Sequence, residues 1–206
     1  MPKVTEEHKE KRKQEIIDAC ERIYREKGFT AVNIKEISTA ISFTRPAIYS
    51  YFETKDEILL VLLNREYEKW IDSLEETEKQ IEQGDREQTA ALIAHTLGDR
   101  GILLRIQNMN LFEMELNCRV ERLAEFKVLY RTVVETLTRI AGAYNPQSTV
   151  EEINRFCMNF NAFLFGVYPF VYHTEKQLEA LELAKVPRID TTIFDMAYHC
   201  LIKVLP

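Results

Sequence analysis

Apolar residues recur at spacings of three and four along nearly the whole 206-residue chain, and no stretch alternates with a period of two. The first spacing paints one face of a helix and the second one face of a strand, so the pattern restricts the chain to an all-α fold. A first helix is predicted over roughly 9–27, with Ile16, Cys20, Ile23 and Tyr24 on one face and Gly28 as its stop. A second begins at Asn33, which can cap it while Glu36 completes a capping-box-like pair; Ile34, Ile37 and Ile41 form its buried stripe. After a break at Ser42-Phe43, Thr44 caps a brief third helix with Pro46 in its first turn, where a missing N–H costs nothing. Thr54-Lys55-Asp56-Glu57 is a second capping box and starts a longer fourth helix carrying Ile58, Leu59, Leu62, Leu63, Tyr67, Trp70 and Leu74. Further helices are expected over about 87–98, 102–116, 120–144, 150–172, 176–185 and 190–204.

Composition closes several routes. No segment reaches the ~18 uncharged apolar residues of a transmembrane helix, and the start, MPKVTEEHKEKRKQE, lacks the apolar core of a signal peptide, so a cytoplasmic chain is expected. Cys20, Cys118, Cys157 and Cys200 are far apart, as are His8, His95, His173 and His199, so neither a metal site nor a cofactor is expected. There is no Gly-rich phosphate loop, nucleophile elbow or metal-ligand spacing, which argues against an enzyme.

Charge is divided unevenly. The net charge of −6 opposes a nucleic-acid partner, because phosphate contacts dominate such affinity. Residues 1–55, however, carry 11 Lys and Arg, Lys3 among them, against 9 Asp and Glu, while the other 151 residues carry 16 against 24. A DNA-facing N-terminal part on an acidic body is therefore permitted.

Residues 33–55, NIKEISTAISFTRPAIYSYFETK, carry the functional signal. Two short amphipathic helices separated by a tight turn, the second rich in small and hydrogen-bonding side chains, form the pattern of a helix-turn-helix. Ser38 supplies a small residue for the helix crossing, and Ile37, Ile41, Ile48 and Phe52 can hold the pair against the first helix. The outer face of the third helix must offer donors and flat contacts to a major groove about 12 Å wide. Thr44, Arg45, Ala47, Tyr49, Ser50 and Tyr51 fit that demand.

This stretch resembles the DNA-binding domain of the tetracycline-repressor (TetR) family. Gly28-Phe29, Ile34 and Ile37, Ala47-Ile48-Tyr49 with Tyr51-Phe52, and Lys55 with Ile58-Leu59 fall at the family's spacing without a gap, and the match covers roughly residues 10–62. The resemblance implies an N-terminal three-helix DNA-binding domain over 1–55, the fourth helix as connector, and a helical ligand-sensing and dimerisation domain over 56–206. It also implies that Thr44 donates to a phosphate, that Arg45 reaches a phosphate or a guanine edge, and that Pro46 and Ala47 touch a thymine methyl. Lys35, Ser50 and Lys55 complete the expected contacts, Lys55 beside a helix N-terminus. Tyr49 is open between a core ring and a phosphate-bonding hydroxyl, and Tyr51 is expected to be the more exposed tyrosine. Three positions depart from the family pattern: Ser42 stands where Gly is frequent, at a cost of ~1–2 kcal/mol if the backbone is left-handed there, Ser38 replaces Ala, and Pro46 replaces a small residue on the DNA face.

Phe156 to Tyr172, FCMNFNAFLFGVYPFVY, is apolar nearly all round, so one face belongs to the core and another to something else. The resemblance implies a homodimer built on the last two long helices, with Phe156, Phe160, Phe163, Val167, Phe194, Ala197, Tyr198 and Leu201 as interface candidates. A two-fold dimer requires a palindromic operator. The middle helices are expected to enclose a pocket for a small apolar or aromatic inducer, with Trp70, Met109, Phe112, Met114, Phe126, Tyr130 and Tyr168 as its candidate wall. The combined expectation is a ligand-released repressor; the alternative is a helical protein-binding adaptor that uses Tyr49, Tyr51 and Phe52 as an anchor.

Overall fold

The computed structural model describes residues 6–206, so Lys3 and the first five residues of the start lie outside it. Every regular element among the described residues is helical. The elements are α1 (Glu6–Lys27), a 3-10 turn (Phe29–Ala31), α2 (Ile34–Ala40), α3 (Arg45–Tyr49), α4 (Lys55–Glu78), α5 (Arg86–His95), α6 (Gly101–Met109), α7 (Leu111–Asn117), α8 (Val120–Tyr144), α9 (Val150–Leu164), α10 (Tyr168–Val171), α11 (Glu175–Leu183) and α12 (Ile193–Val204). No helix among the described residues is long and apolar enough to cross a membrane. The helices group into two compact units that do not follow the chain order.

The first unit comprises Met1–Glu66, described from Glu6, and Asn110–Leu129. The 3.6-residue spacing of Ile16, Cys20, Ile23 and Tyr24 makes α1 its spine, and all four are buried with Ile37, Ile48, Phe52, Ile58 and Leu62. Gly28 ends α1 with a φ of 78°, its N–H returning to Tyr24 O at 3.0 Å; the left-handed turn is one a side chain would strain. Arg65 on α4 bridges Asp18 and Glu21 of α1. The returning segment is fastened by the Tyr24 hydroxyl, which bonds Asn110 Oδ1 at 3.1 Å.

In the second unit, Tyr67–Met109 and Tyr130–Pro206, α12 packs on α5 and α9, and α6 packs on α9 and α10. Thr149 with Glu152, Thr174 with Gln177 and Thr192 with Asp195 form complete capping boxes at α9, α11 and α12. The Arg86 guanidinium donates to the carbonyls of Leu205 at 2.8 Å, Ile202 at 3.2 Å and Pro206 at 3.3 Å, answering acceptors left open at the end of α12. Asn108 Nδ2 donates to Leu164 O at 2.7 Å and its Oδ1 accepts from Tyr168 N at 3.3 Å, so α6 fixes the bend after α9.

Two helices expected to be continuous are broken. The span 150–172 bends at Phe165–Val167, because Pro169 in the first turn of α10 has no N–H to return. The span 102–116 breaks at Asn110, whose side chain is engaged by Tyr24.

Candidate nucleic-acid interface

Asn33 opens α2 by accepting from Glu36 N at 2.9 Å, with Ile34 and Ile37 buried beneath. Arg22 closes it from α1, donating to Ala40 O at 3.3 Å. Ile41 and Thr44 are both extended, and Lys185 is the only described residue other than glycine with positive φ, so Ser42 carries no left-handed strain. Phe43 in this turn is half-buried, with the Arg12 guanidinium 5.3 Å from its ring centroid.

Thr44 precedes α3 in cap position without a side-chain cap bond, and Pro46 falls in the first turn. Burial of Ile48 and Phe52 sets the rotation of this short helix. Thr44, Arg45, Pro46, Tyr49 and Ser50 are thereby exposed and Ala47 half-buried, while the Ser50 hydroxyl bonds back to Ala47 O at 2.7 Å. The order of the two tyrosines is reversed from expectation: Tyr49 is 53% exposed and Tyr51 only half-buried. Counting from buried Ile48, the next residue points outward, whereas Tyr51 lies one turn on, beside the buried stripe.

The expected capping box at Thr54 is half present. Thr54 Oγ1 accepts from Glu57 N at 3.1 Å, but the Glu57 carboxylate reaches back to Glu53 N at 2.9 Å. Lys55, at the start of α4, stands with Nζ 4.2 Å from the Phe29 ring centroid. Asn33, Lys35, Arg45, Tyr49, Glu53 and Lys55 line one open groove of about 360 Å³ with Ile34 and Thr54. Four expected contact residues, Lys35, Arg45, Tyr49 and Lys55, thus meet on one surface with three positive charges and a phenol.

The other candidate sets are scattered. Trp70, Met114 and Phe126 are buried, Met109 and Phe112 are 60% and 75% exposed, and Tyr130 and Tyr168 are half-buried. Phe112, Met114 and Phe126 belong to the first unit and the other four to the second. A cavity of about 610 Å³ in the second unit is bordered by Phe170, His173, Leu181, Val186, Arg188 and Ile189, among others, and by none of the seven. Of the dimer candidates, Phe156, Phe160, Val167, Ala197 and Leu201 are buried within the single chain, because α9 and α12 turn those faces to each other and to their neighbours. Phe163, Phe194 and Tyr198 are half-buried, while Met158 and Phe165 on the outer side of α9 are 72% and 44% exposed.

Comparison with known proteins matches both parts of the chain to family models. The family model for bacterial regulatory proteins of the tetR family matches residues 16–62, and that for the tetracyclin repressor-like C-terminal domain matches 64–204. The HTH-type transcriptional regulator YfiR of Bacillus subtilis is 23% identical over 200 residues, covering 91% of this chain and 94% of its own. Among solved structures, a TetR/AcrR-family regulator from Thermobifida fusca superposes with a TM-score of 0.59 at 20% identity, over 94% of this chain and 97% of that one. The regulator FadR from Bacillus subtilis, solved in complex with stearoyl-CoA, gives 0.57 at 15% identity, over 93% and 97%.

Proposed function

Because the chain belongs to the tetracycline-repressor family of transcriptional regulators, we propose that it is a repressor that binds a palindromic operator as a homodimer and leaves it when a small apolar molecule binds the body. The observation that carries the DNA-binding part is the groove that unites Lys35, Arg45, Tyr49 and Lys55. Its charges suit phosphates, and the short exposed face of α3 presents Thr44, Arg45, Pro46 and Ala47 to base edges. The buried side of α3 leaves that face no other role in the packing.

The outer side of α9 supports the dimer: Met158, Ala162 and Phe165 recur at helical spacing and are all exposed, an apolar strip suited to a second copy. A two-fold pair would set recognition helices on half-sites about 34–36 Å apart, or further on a longer operator. The mixed burial of the candidate ligand residues leaves the inducer defined by class, and the stearoyl-CoA held by the similarly folded FadR makes long-chain acyl compounds the first to try. Such a ligand acts only through differential affinity, and reversing a 99:1 operator-competent population takes about 5.5 kcal/mol.

The test is selection of bound sequences from random double-stranded DNA with wild type, Arg45→Ala and Tyr49→Ala. A palindrome recovered by wild type and lost by the variants is expected. No enrichment at low salt refutes operator binding and leaves the protein-binding adaptor.

A further inference from the structure

The groove on the recognition unit is buttressed by a corner of chain more than fifty residues downstream. Asn117–Arg119, from the last residue of α7 to the start of α8, is bonded to the residues that open α4. Thr54 Oγ1 donates to Asn117 O at 3.2 Å, and Asn117 Nδ2 donates to Asp56 Oδ2 at 2.9 Å. Arg119 grips Glu57 with a planar fork, Nε at 2.6 Å and Nη2 at 2.8 Å, and adds its backbone N–H at 3.3 Å. Its remaining Nη1 stands 3.3 Å from the Glu53 carboxylate. Glu57 is fully buried, whereas Glu53 is 61% exposed at the side chain.

Two features make this more than packing. Glu53, Thr54 and Lys55 line the same groove as Arg45 and Tyr49, so what fixes residues 53–57 fixes one wall of the candidate DNA surface. Glu53 also brings a negative charge to a surface meant for phosphates, and the Arg119 guanidinium stands between that charge and full expression. A buried ion pair is by itself weak evidence for stability, since an apolar pair of the same shape often does as well. Its use here lies in geometry and charge at the groove. Glu115, paired with Lys127 at 2.6 Å, Glu121 and Arg122 also bring charge to the corner, and Arg122 sits 5.8 Å from the Phe52 ring centroid.

We infer that Arg119 is a positioning residue for operator binding: it holds the Glu53–Glu57 turn that carries Lys55 and screens Glu53 from the DNA phosphates without touching the DNA. This rests on the groove being the operator-binding surface. It extends the DNA-binding apparatus beyond residues 16–62, where the family's N-terminal model matches.

The experiment uses the full chain and the palindrome recovered by selection, with affinity measured across a salt series. Arg119→Gln with Glu57→Gln removes the fork without stranding a buried carboxylate, and its melting curve and helical circular dichroism establish that it folds. We expect affinity to fall roughly tenfold with the slope of log K against log salt unchanged, since no phosphate contact is lost. Adding Glu53→Gln should recover part of that loss, which a purely structural role would not allow, and Arg119→Lys should fall between wild type and the double variant because a lysine keeps the charge and loses the fork. Unchanged affinity in the folded double variant overturns the inference. So does a salt slope reduced by about one, which would make Arg119 a phosphate contact in its own right. A wild type that recovers no palindrome fails at the earlier step and overturns the operator reading together with this one.

Discussion

The indole N–H of Trp70 donates to Thr96 Oγ1 at 2.8 Å, and that hydroxyl donates onward to Ile93 O at 2.7 Å. Trp70 is fully buried, with the Tyr67 ring edge-on at a centroid distance of 6.1 Å, so its polar atom is already satisfied inside the second unit. Thr96→Val preserves shape and strands the indole N–H. It should cost about 1–3 kcal/mol in urea unfolding, and a change within error would show that the N–H finds another acceptor.

Arg86 predicts a second stability effect. Arg86→Met keeps most of the apolar length of the side chain but removes the guanidinium, which stands 5.6 Å from the Tyr144 ring centroid, and leaves the Ile202, Leu205 and Pro206 carbonyls without their donor. A loss of about 1.5–3 kcal/mol is expected for hydrogen bonds to a charged group. Amide hydrogen exchange should localise it to α12, and uniform loosening of all helices would contradict the assignment.

The two tyrosines of the recognition segment should separate. Tyr49→Ala changes an exposed side chain and should weaken DNA binding with a melting temperature near wild type. Tyr51→Ala removes half-buried surface and should lower both. Equal thermal losses would mean that Tyr49 packs more than its exposure shows.

Glu57 sets an acid-side prediction. Burial pushes its carboxyl up, but the Arg119 fork and the N–H groups of Glu53 and Arg119 outweigh that and hold it below the usual carboxylate range. A carboxyl depressed in the folded state contributes stability that is present above its unfolded pKa, near 4.3, and lost as pH falls through the folded value. Wild type carries this contribution at neutral pH, and the Arg119→Gln, Glu57→Gln variant carries it nowhere. The stability of wild type relative to the variant should therefore decline on acidification through this range; a difference that stays constant would contradict it.

The thiols should be slow. Burial pushes both Cys20 and Cys118 up to about 12, and raises Cys157 and Cys200 as well. A disulfide-exchange reagent at pH 8 should label the native chain far more slowly than the four thiols of the unfolded one. Rapid labelling of the folded chain would expose an opening motion.

Local rules carry the sequence reading furthest. Asn33 and Gly28 lie at the helix ends that their side chain and backbone freedom suit, Thr44 stands in the cap position of α3 without a side-chain bond, and α8 spans the expected 120–144. The helix-turn-helix was legible because its register follows from Ile34, Ile37, Ile48 and Phe52, all within twenty residues. The order of the tyrosines is not legible because Tyr49 and Tyr51 both flank that stripe, and their exposure depends on the rotation of a five-residue helix. The break at Asn110 is masked because the apolar spacing runs through it, whereas the bend at Phe165–Val167 has a sequence signal in Pro169 that the apolar spacing outweighs. At the first, the Asn110 side chain bonds a hydroxyl on α1, a partner 86 residues away. The Arg119–Glu57 pair leaves no sequence signal: one arginine between two helices has no period, and the position of Glu57 reads as a local cap.

The discontinuity of the recognition unit bears on how such a protein could be re-engineered. Grafting residues 1–66 onto the body of another regulator would carry over α1 to α3 intact, yet bury the Glu57 carboxylate with no guanidinium to meet it. A working hybrid that changes operator preference would have to import Asn110–Leu129 as well, or replace Glu57 with a neutral side chain. The seam for exchanging specificity runs through two places in the chain.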